Sequence, residues 1–250
     1  MRWDSQDLDP GPVPLWHQLA TRLRTAVDTG QFNEGDKLPS ESALNRRFGV
    51  SRTTARAALD HLEQEGRIIR SSGRGSIVLA PRVVQPLNLL AGFAEDMRAR
   101  GLRASYQTEA VTVERASSEV AAGLGVERRA RVVMIKRLQY ADGRPIAFAV
   151  SWIAPKILEG RRAPTAGELD AGSLYLWLES QCGARIASGS QFIEAEVADQ
   201  EHATRLEVPA GHPLFVARRT SRTADGTTVE YVVTRYRADR YRFQVELVRP

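Results

Sequence analysis

The sequence predicts an α+β protein of two domains, the first mainly helical and the second built on an antiparallel sheet. Up to about residue 66, apolar residues recur at helical spacing. Beyond residue 120, long β-rich runs are separated by Asp-Gly turns, which are strong hairpin signals. The 250 residues are 42% hydrophobic and 26% charged, which is ordinary for globular domains and long enough for two of them.

The first helix is predicted over residues 15–27. Leu15, Leu19 and Leu23 form its apolar face, and Gly30 provides a left-handed cap at its end. Residues 1–12 are acidic and polar, without an apolar signal core, so we expect a disordered leader there.

A second and a third helix follow, joined by a tight turn. The second is expected to begin after Ser40, whose side chain can cap free N–H groups, and to end at Gly49, which accepts a positive φ. Ser51 is the N-cap candidate of the third helix. Two helices joined by a tight glycine turn form a helix-turn-helix.

The start of the third helix is polar on the side that faces away from its apolar stripe. The residues of that stripe recur at helical spacing and are Ala55, Ala58, Leu59 and Leu62. Arg52, Thr53, Thr54 and Arg56 lie outside it. In a helix-turn-helix, residues at this position contact base edges in the major groove. The sequence therefore predicts a DNA-contact surface.

A basic hairpin is predicted after the third helix, with strands at 68–70 and 76–79. Gly73 and Gly75 let its backbone come close to a duplex, and Arg74 is placed to contact phosphate or the minor groove. Residues 13–80 are therefore predicted to form a winged helix-turn-helix domain.

Basic residues gather locally, although the net charge of the whole chain is only +5. Arg46, Arg47, Arg52 and Arg56 occur with no acidic residue between them, as expected of a phosphate-binding surface. For Arg46 and Arg47 alone, a solvated helix face is an equally good interpretation. Residues 81–92 contain two prolines and are interpreted as an extended linker that can lay a strand on the second domain.

The second domain contains an internal repeat. Residues 124–152 and 206–235 each give a strand, an Asp-Gly turn and a second strand. Other elements are expected at 117–124, 173–181 and 199–206 as helices and at 184–197 as a strand. The domain is predicted to be an antiparallel sheet of about six strands with two pseudo-symmetric halves.

Five polar residues of the repeat are placed to converge on a small polar ligand, because alternate strand residues share a face. They are Arg137, Gln139, Ser151, Glu230 and Tyr236. A guanidinium and a carboxylate beside hydroxyl and amide groups suit a polar or anionic ligand. The alternative is that they are solvent-facing residues of ordinary strands.

Several classes of protein are disfavoured by the composition. Cys182 is the sole cysteine, so no intrachain disulfide forms, which fits a reducing cytoplasm. The four histidines are scattered, and we expect neither a metal site nor a cofactor. No apolar run approaches the length of a membrane span.

The motifs resemble a known family. LPSE, FGVSRTTARAAL and GRGS are similar to the winged-helix domain of GntR-type transcription regulators. EDMRARG, KRLQYADGRPIAFAVSWI and EYVVTRYRADRYRF resemble the UTRA effector domain of the HutC branch, which has a chorismate-lyase-like fold and here corresponds to residues 93–250. The resemblance implies a homodimeric regulator, usually a repressor, that binds double-stranded operator DNA and responds to a small-molecule effector.

The resemblance also implies specific DNA contacts. They fall on the third helix and the wing, at Ser51, Arg52, Thr53, Thr54, Arg56, Gly73, Arg74 and Gly75. We add Ser40, Arg46 and Arg47 from the second helix to this predicted surface. Ser42 stands where the family often has an arginine, so the operator is expected to deviate from the usual half-site.

The resemblance also bears on the class of ligand. Members that sense sugar phosphates hold the phosphate with an Arg-x-Arg strand, which here reads Arg137 and Gln139, and Ala149 replaces a frequent glutamate. The missing charge-assisted contact is worth roughly 1.5–3 kcal/mol, which disfavours a phosphosugar. Residues 88–93 are expected to close over the ligand, as in the family.

The sequence leaves two alternative functions to weigh against a regulator. The chorismate-lyase-like domain raises the alternative of an enzyme acting on a small polar metabolite, but no nucleophile elbow, metal motif or phosphate-binding glycine loop occurs in the sequence. A nucleoid-type DNA binder without an effector is disfavoured by the nearly neutral first domain and by the large second one.

Overall fold

The computed structural model describes residues 2–71, 75–79 and 83–247. The chain divides into two compact units, Met1–Arg82 and Val83–Pro250. Each unit has its own buried apolar cluster.

The first unit has three helices and a hairpin, as predicted. They are α1 (Leu15–Asp28), α2 (Glu41–Phe48), α3 (Arg52–Gln64), β1 (Ile68–Ser71) and β2 (Gly75–Val78). The predicted caps are confirmed: Ser40 Oγ accepts from the Ala43 backbone N–H at 3.2 Å, and Ser51 Oγ accepts from that of Thr54 at 3.0 Å. Gly49 ends α2 with a φ of 65°, a conformation that costs glycine little.

The core of the first unit is formed by the faces that the sequence pattern predicts to be buried. Leu19, Leu23, Leu44 and Leu62 are all 0% exposed. Each such side chain contributes about 1.5–3 kcal/mol when removed from water. In the hairpin, β1 pairs antiparallel with β2, and Ile69 lies opposite Ile77. The packed core thereby fixes the position of the polar start of α3.

The leader contacts the first unit. The Trp3 ring centroid lies 5.6 Å from that of Phe32 and 5.8 Å from that of Phe48. Arg47 Nη1 donates to Asp7 Oδ1 at 2.8 Å. Disorder of residues 1–12 stays a prediction, and these contacts place the segment beside α1 and α2.

The second unit is a mixed helix and sheet structure. Its strands are β3 (Val83–Pro86), β4 (Ala104–Arg115), β5 (Arg131–Ala141), β6 (Arg144–Ile153), β7 (Ser188–Val197), β8 (Pro213–Arg222), β9 (Thr228–Arg237) and β10 (Tyr241–Gln244). Its α-helices are α4 (Phe93–Ala99), α5 (Ser118–Leu124), α6 (Ala166–Asp170), α7 (Leu174–Cys182) and α8 (Gln200–Leu206), and Pro155–Leu158 forms a 3₁₀ turn.

Six of these strands form one sheet in the order β4-β5-β6-β9-β8-β7, with every neighbouring pair antiparallel. The predicted six-stranded sheet is confirmed. The two hairpins of the repeat, β5-β6 and β8-β9, meet at the centre, where Val150 lies opposite Val233. A pseudo-two-fold axis through this pair exchanges one hairpin with the other.

The strand predicted over 184–197 begins later, at Ser188, so that boundary was wrong. Gly183 caps α7 with a φ of 66°. Ala184 is then 5% exposed and packs in the main apolar cluster, and pairing in the sheet begins only at Ser188.

Helices cover both faces of the sheet. Thr220 Oγ1 donates to the Gly123 carbonyl of α5 at 3.0 Å, whereas the hydroxyls of Ser221 and Tyr175 of α7 lie 3.1 Å apart. Successive strand residues point to opposite faces, so α5 and α7 lie on opposite sides. The face under α7 holds the cavity described below.

Part of the expected linker belongs to the second unit. Strand β3 pairs in parallel with β10, and Val83 lies opposite Tyr241. The Tyr241 hydroxyl donates to Gln85 Oε1 at 2.8 Å and to Asp96 Oδ2 at 3.2 Å. These bonds fix β3 beside the start of α4.

Candidate functional site

The start of α3 projects from the first unit as predicted. Arg52, Thr53 and Arg56 are exposed, whereas Ala55 is 0% exposed and faces the core. Thr54 is half-buried, and its hydroxyl lies 2.8 Å from that of Ser51. Three polar side chains of this surface are therefore available to a partner, and the Ser51–Thr54 pair rigidifies the turn that carries them.

Arg56 forms an ion pair across the helix-turn-helix. Its Nε lies 3.2 Å from Glu41 Oε1, and Arg70 Nη2 of β1 donates to the same oxygen at 2.6 Å. Burial acts to raise the pKa of Glu41, but hydrogen bonds from Arg56 and Arg70 outweigh it, and the pKa is lowered. The carboxylate therefore stays charged and orients an arginine from α3 and one from the wing.

The other residues predicted to contact DNA differ in exposure and in their partners. Arg46 is exposed, whereas Arg47 is occupied by the leader, where its Nε donates to the Asp4 carbonyl at 2.8 Å. Ser40 is exposed and serves as the cap of α2. Gly75 opens β2 with a φ of 83°. Gly73 and Arg74, at the predicted wing tip, lie outside the described residues.

A polar cavity lies within the second unit, between the sheet, α4 and α7. All of the residues predicted to converge there line it: Arg137, Gln139, Ser151, Glu230 and Tyr236. They come from β5, β6 and β9, neighbouring strands whose alternate residues share this face. The free volume is about 40 Å³, little more than one water molecule occupies. Side chains therefore fill most of the cavity in this structure.

The cavity wall carries buried polar atoms with no partner. Arg137 Nη1, Gln139 Oε1 and Glu230 Oε2 have no hydrogen bond within the described part of the chain, although these residues are 6%, 6% and 2% exposed. Leaving such groups unsatisfied costs about 1–3 kcal/mol each. A ligand that pairs them recovers this cost.

Aromatic rings shape the cavity around these charges. The Arg137 guanidinium carbon lies 4.8 Å from the Tyr106 ring centroid, a cation–π distance. Burial lowers the pKa of Arg137 and raises that of Tyr106. Arginine remains protonated in proteins despite such shifts, so the cavity keeps a positive charge beside neutral phenols.

Sequence reasoning missed several residues of this wall, including Tyr106 described above. Arg219, Tyr175 and Asp96 line the cavity from β8, α7 and α4. Burial raises the pKa of Asp96, although Arg100 Nη2 lies 2.8 Å from its carboxylate. For Arg219 the sequence signal was partial, because the repeat indicates a basic residue of β8 as the counterpart of Arg137 but does not choose between Arg218 and Arg219. For Tyr175 and Asp96 the sequence carried no comparable signal.

No group of His, Cys, Asp or Glu in the described ranges is arranged to hold a metal ion. None of the described helices has the length and apolar character of a membrane span.

A winged helix-turn-helix in one unit and a closed polar cavity in another define a DNA-binding regulator with a ligand-binding domain. Comparison with known proteins supports this class. Residues 15–78 match the family described as bacterial regulatory proteins, gntR family, and residues 99–242 match the UTRA domain. The chain belongs to the GntR family, in its UTRA-containing HutC branch. It is a transcription regulator and not an enzyme.

Named relatives cover nearly the whole chain. The HTH-type transcriptional repressor NagR of Bacillus subtilis is 32% identical over 93% of this chain and 94% of its own length. The probable transcriptional regulator PhnF of Escherichia coli is 31% identical over 92% and 94%. The crystal structure of PhnF from Mycobacterium smegmatis is similar with a TM-score of 0.74, at 28% identity over 92% of this chain and 99% of that one.

Proposed function

We propose that the protein is a cytoplasmic repressor that binds operator DNA as a two-fold dimer and releases it when a small ligand enters the cavity. The observation that carries this proposal is the set of unpartnered atoms on Arg137, Gln139 and Glu230 around one closed cavity. Buried polar atoms are normally paired, so this arrangement favours a polar ligand. The similarity to NagR, which is named as a repressor, supports the sign of the regulation.

DNA contact is assigned to the start of α3. Arg52, Thr53 and Arg56 are exposed on one side of a rigid helix, and this side of the second helix of a helix-turn-helix meets base edges. Arginine forms bidentate bonds with guanine, so Arg52 and Arg56 are assigned to specificity. A dimer would read two related half-sites one turn apart or a multiple of it.

Ligand binding must distinguish two states of the protein in order to switch it. The cavity is closed around little free volume, so a ligand has to move its wall on entry. The wall includes Gln85 of β3 and residues 91–93 at the start of α4. We assign these segments to the moving part.

The proposal is tested with DNA selected by the protein from a random pool, using fluorescence anisotropy at several salt concentrations. Arg52→Ala is expected to weaken binding to the selected site about tenfold or more, since a bidentate contact is worth roughly 1–3 kcal/mol. Arg103→Ala in the second unit, whose side chain is 91% exposed, is the matched control and should bind normally. Equal affinity of the native protein for selected and random DNA would refute operator recognition.

A further inference from the structure

Arg219 is the pseudo-symmetric counterpart of Arg137. Arg137 of β5 lies opposite Ala149 of β6, and Arg219 of β8 lies opposite Val232 of β9. The axis through the central Val150–Val233 pair exchanges β5 with β8 and β6 with β9. The repeat therefore supplies the cavity with a guanidinium from each hairpin.

The two arginines have similar surroundings. The Arg137 guanidinium carbon lies 4.8 Å from the Tyr106 ring centroid, and that of Arg219 lies 5.7 Å from the Tyr175 ring centroid. Arg137 Nη1 and Arg219 Nε are both buried without a partner among the described residues. Structural arginines are usually paired, as Arg237 of β9 is: it donates to Asp239 Oδ2 at 2.8 Å and to the Leu206 carbonyl at 3.1 Å.

Their positions relative to solvent differ. Arg137 is 6% exposed, whereas Arg219 also lines an open groove of about 420 Å³ next to the cavity. The groove runs under residues 85–90, and Gln85 borders both spaces. An ideal Cβ at Gly189 in the groove would lie 2.9 Å from the Thr220 carbonyl oxygen and 3.8 Å from Arg219 Cγ, so a larger residue does not fit beside Arg219 without a shift of the backbone. Arg219 therefore stands between the groove and the inner space.

The two positive charges approach from opposite sides of the cavity. Strands β5 and β8 are separated by β6 and β9, and Arg137 is level with Ala217, two residues along β8 from Arg219. At about 4.8 Å per strand and about 3.4 Å per residue, the two Cα atoms are roughly 16 Å apart. An Arg-x-Arg strand would instead place both guanidiniums at one end of the ligand, but Gln139 is neutral. Glu230 of β9 lies opposite Ser221, two residues along the sheet from the pair of Arg219 and Val232, and its Oε2 accepts no hydrogen bond from the described residues.

Given that the cavity is the effector site, as proposed above, we infer that the effector is a compact anion with two acidic ends. One end binds Arg137 inside and the other binds Arg219 at the groove. A hydroxyl or ammonium group between them donates to Glu230. Each acidic end is a carboxylate or a phosphate, since a guanidinium binds both in the same bidentate geometry.

The inference is tested by calorimetric titration of the full chain with a series of probes. L-malate and 2-hydroxyglutarate have two carboxylates and a hydroxyl, and 6-phosphogluconate has a phosphate at one end and a carboxylate at the other. L-lactate and glucose 6-phosphate carry a single acidic end. At least one two-ended probe is expected to bind, and to bind more tightly than both one-ended probes.

Three variants separate ligand recognition from structure. Arg219→Met and Arg137→Met are each expected to weaken binding of the two-ended probe about ten- to a hundredfold, the effect of losing a charge-assisted contact. Without ligand, Arg219→Met should lower the melting temperature less than Arg237→Met does, because it loses the ring contact with Tyr175 but no hydrogen bond at its buried Nε. Arg237→Met removes a paired arginine, so it should melt lower and still bind the probe.

The outcomes are distinguishable. Failure of every two-ended probe to bind would overturn the inference, as would a melting temperature of Arg219→Met as low as that of Arg237→Met. Binding of glucose 6-phosphate alone, lost in Arg137→Met and kept in Arg219→Met, would overturn the inference and leave the effector cavity standing. Binding that neither substitution changes would overturn the cavity assignment as well.

Discussion

Glu41 of α2 holds Arg56 of α3 in an ion pair on the surface assigned to DNA, with Nε and Oε1 3.2 Å apart. The same carboxylate oxygen accepts from Arg70 of the wing. A negative charge at this place opposes phosphate and, at the same time, fixes the direction of two arginines. Removing the charge of Glu41 should therefore change the affinity for operator DNA and the affinity for random DNA in different ways.

Glu41→Gln is expected to strengthen binding to random DNA several-fold, because one like charge near the phosphates is lost. The preference for the selected operator should fall, because Arg56 is no longer oriented. Anisotropy titrations against both DNAs at two salt concentrations measure this. Weaker binding to random DNA would contradict it. Glu127→Gln, at an exposed site in the second unit, serves as control.

Arg137→Met is expected to uncouple the ligand from the operator. Operator affinity should stay within about twofold of the native value, since Arg137 belongs to the second unit and faces the cavity. A reporter under the operator should remain repressed under inducing conditions. Lys136→Met is the matched control, because the neighbouring residue of β5 points to the other face of the sheet. Normal induction in Arg137→Met would remove this residue from the effector site.

Glu65 should make the first unit sensitive to acid. Burial acts to raise its pKa, but Arg24, whose Nε lies 3.0 Å from the carboxylate, lowers it, with help from His61 and Arg67. A group whose folded pKa is lowered stabilises the protein above its unfolded pKa of about 4.3. That stabilisation is lost as the pH falls through the folded value.

Accordingly, Glu65→Gln should lower the melting temperature of the first unit at pH 7, by an amount that shrinks as the pH falls below about 4.3. The expected loss is roughly 1 kcal/mol, typical of a partly exposed charge-assisted pair. Asp9→Asn, at an exposed carboxylate of the same unit, should leave the melting temperature unchanged at neutral and at acid pH. A difference between Glu65→Gln and the native protein that persists in acid would show that the pair is not its cause.

Gly123→Ala should destabilise the second unit. An ideal Cβ at Gly123 lies 2.4 Å from the Tyr231 ring, which packs α5 against β9 and donates from its hydroxyl to Glu119 at 2.7 Å. Overpacking of this kind costs about 1–3 kcal/mol, and each kcal/mol lowers the melting temperature by roughly 2–4 °C. Gly167→Ala in α6 meets nothing within 4 Å and should be neutral or stabilising. Equal melting temperatures of the two variants would contradict this assignment.

Most of the fold could be predicted from local sequence signals. The helix caps at Ser40 and Ser51 depend only on residues close in sequence, and so do the Asp-Gly turns. These features can therefore be predicted without the structure. Strand β4 was not located, because its twelve residues are largely exposed and carry no turn signal. The β3–β10 pairing joins the two ends of the second unit, and no local pattern specifies such a contact.

For the site, alternation along strands was sufficient to bring Arg137, Gln139 and Ser151 to one face. Arg219 could not be assigned to the site in this way, because Arg218 beside it is an equally basic candidate. The symmetry of the sheet is needed to show which of the two faces the cavity. Arg218 lies on the other face and pairs with Glu194 and Glu119. Register, which the sequence leaves open by one residue, decides between the two.

The parallel pairing of β3 with β10 shortens the route by which the cavity can signal. Gln85, in the strand that directly follows the DNA-binding unit, is also part of the cavity wall and is tethered there by Tyr241. Under the proposed function, a ligand that displaces Gln85 would pull on the first residues of the second unit, a few peptide bonds from the last residue of the first. A signal from the cavity would then need no relay of side chains across the sheet.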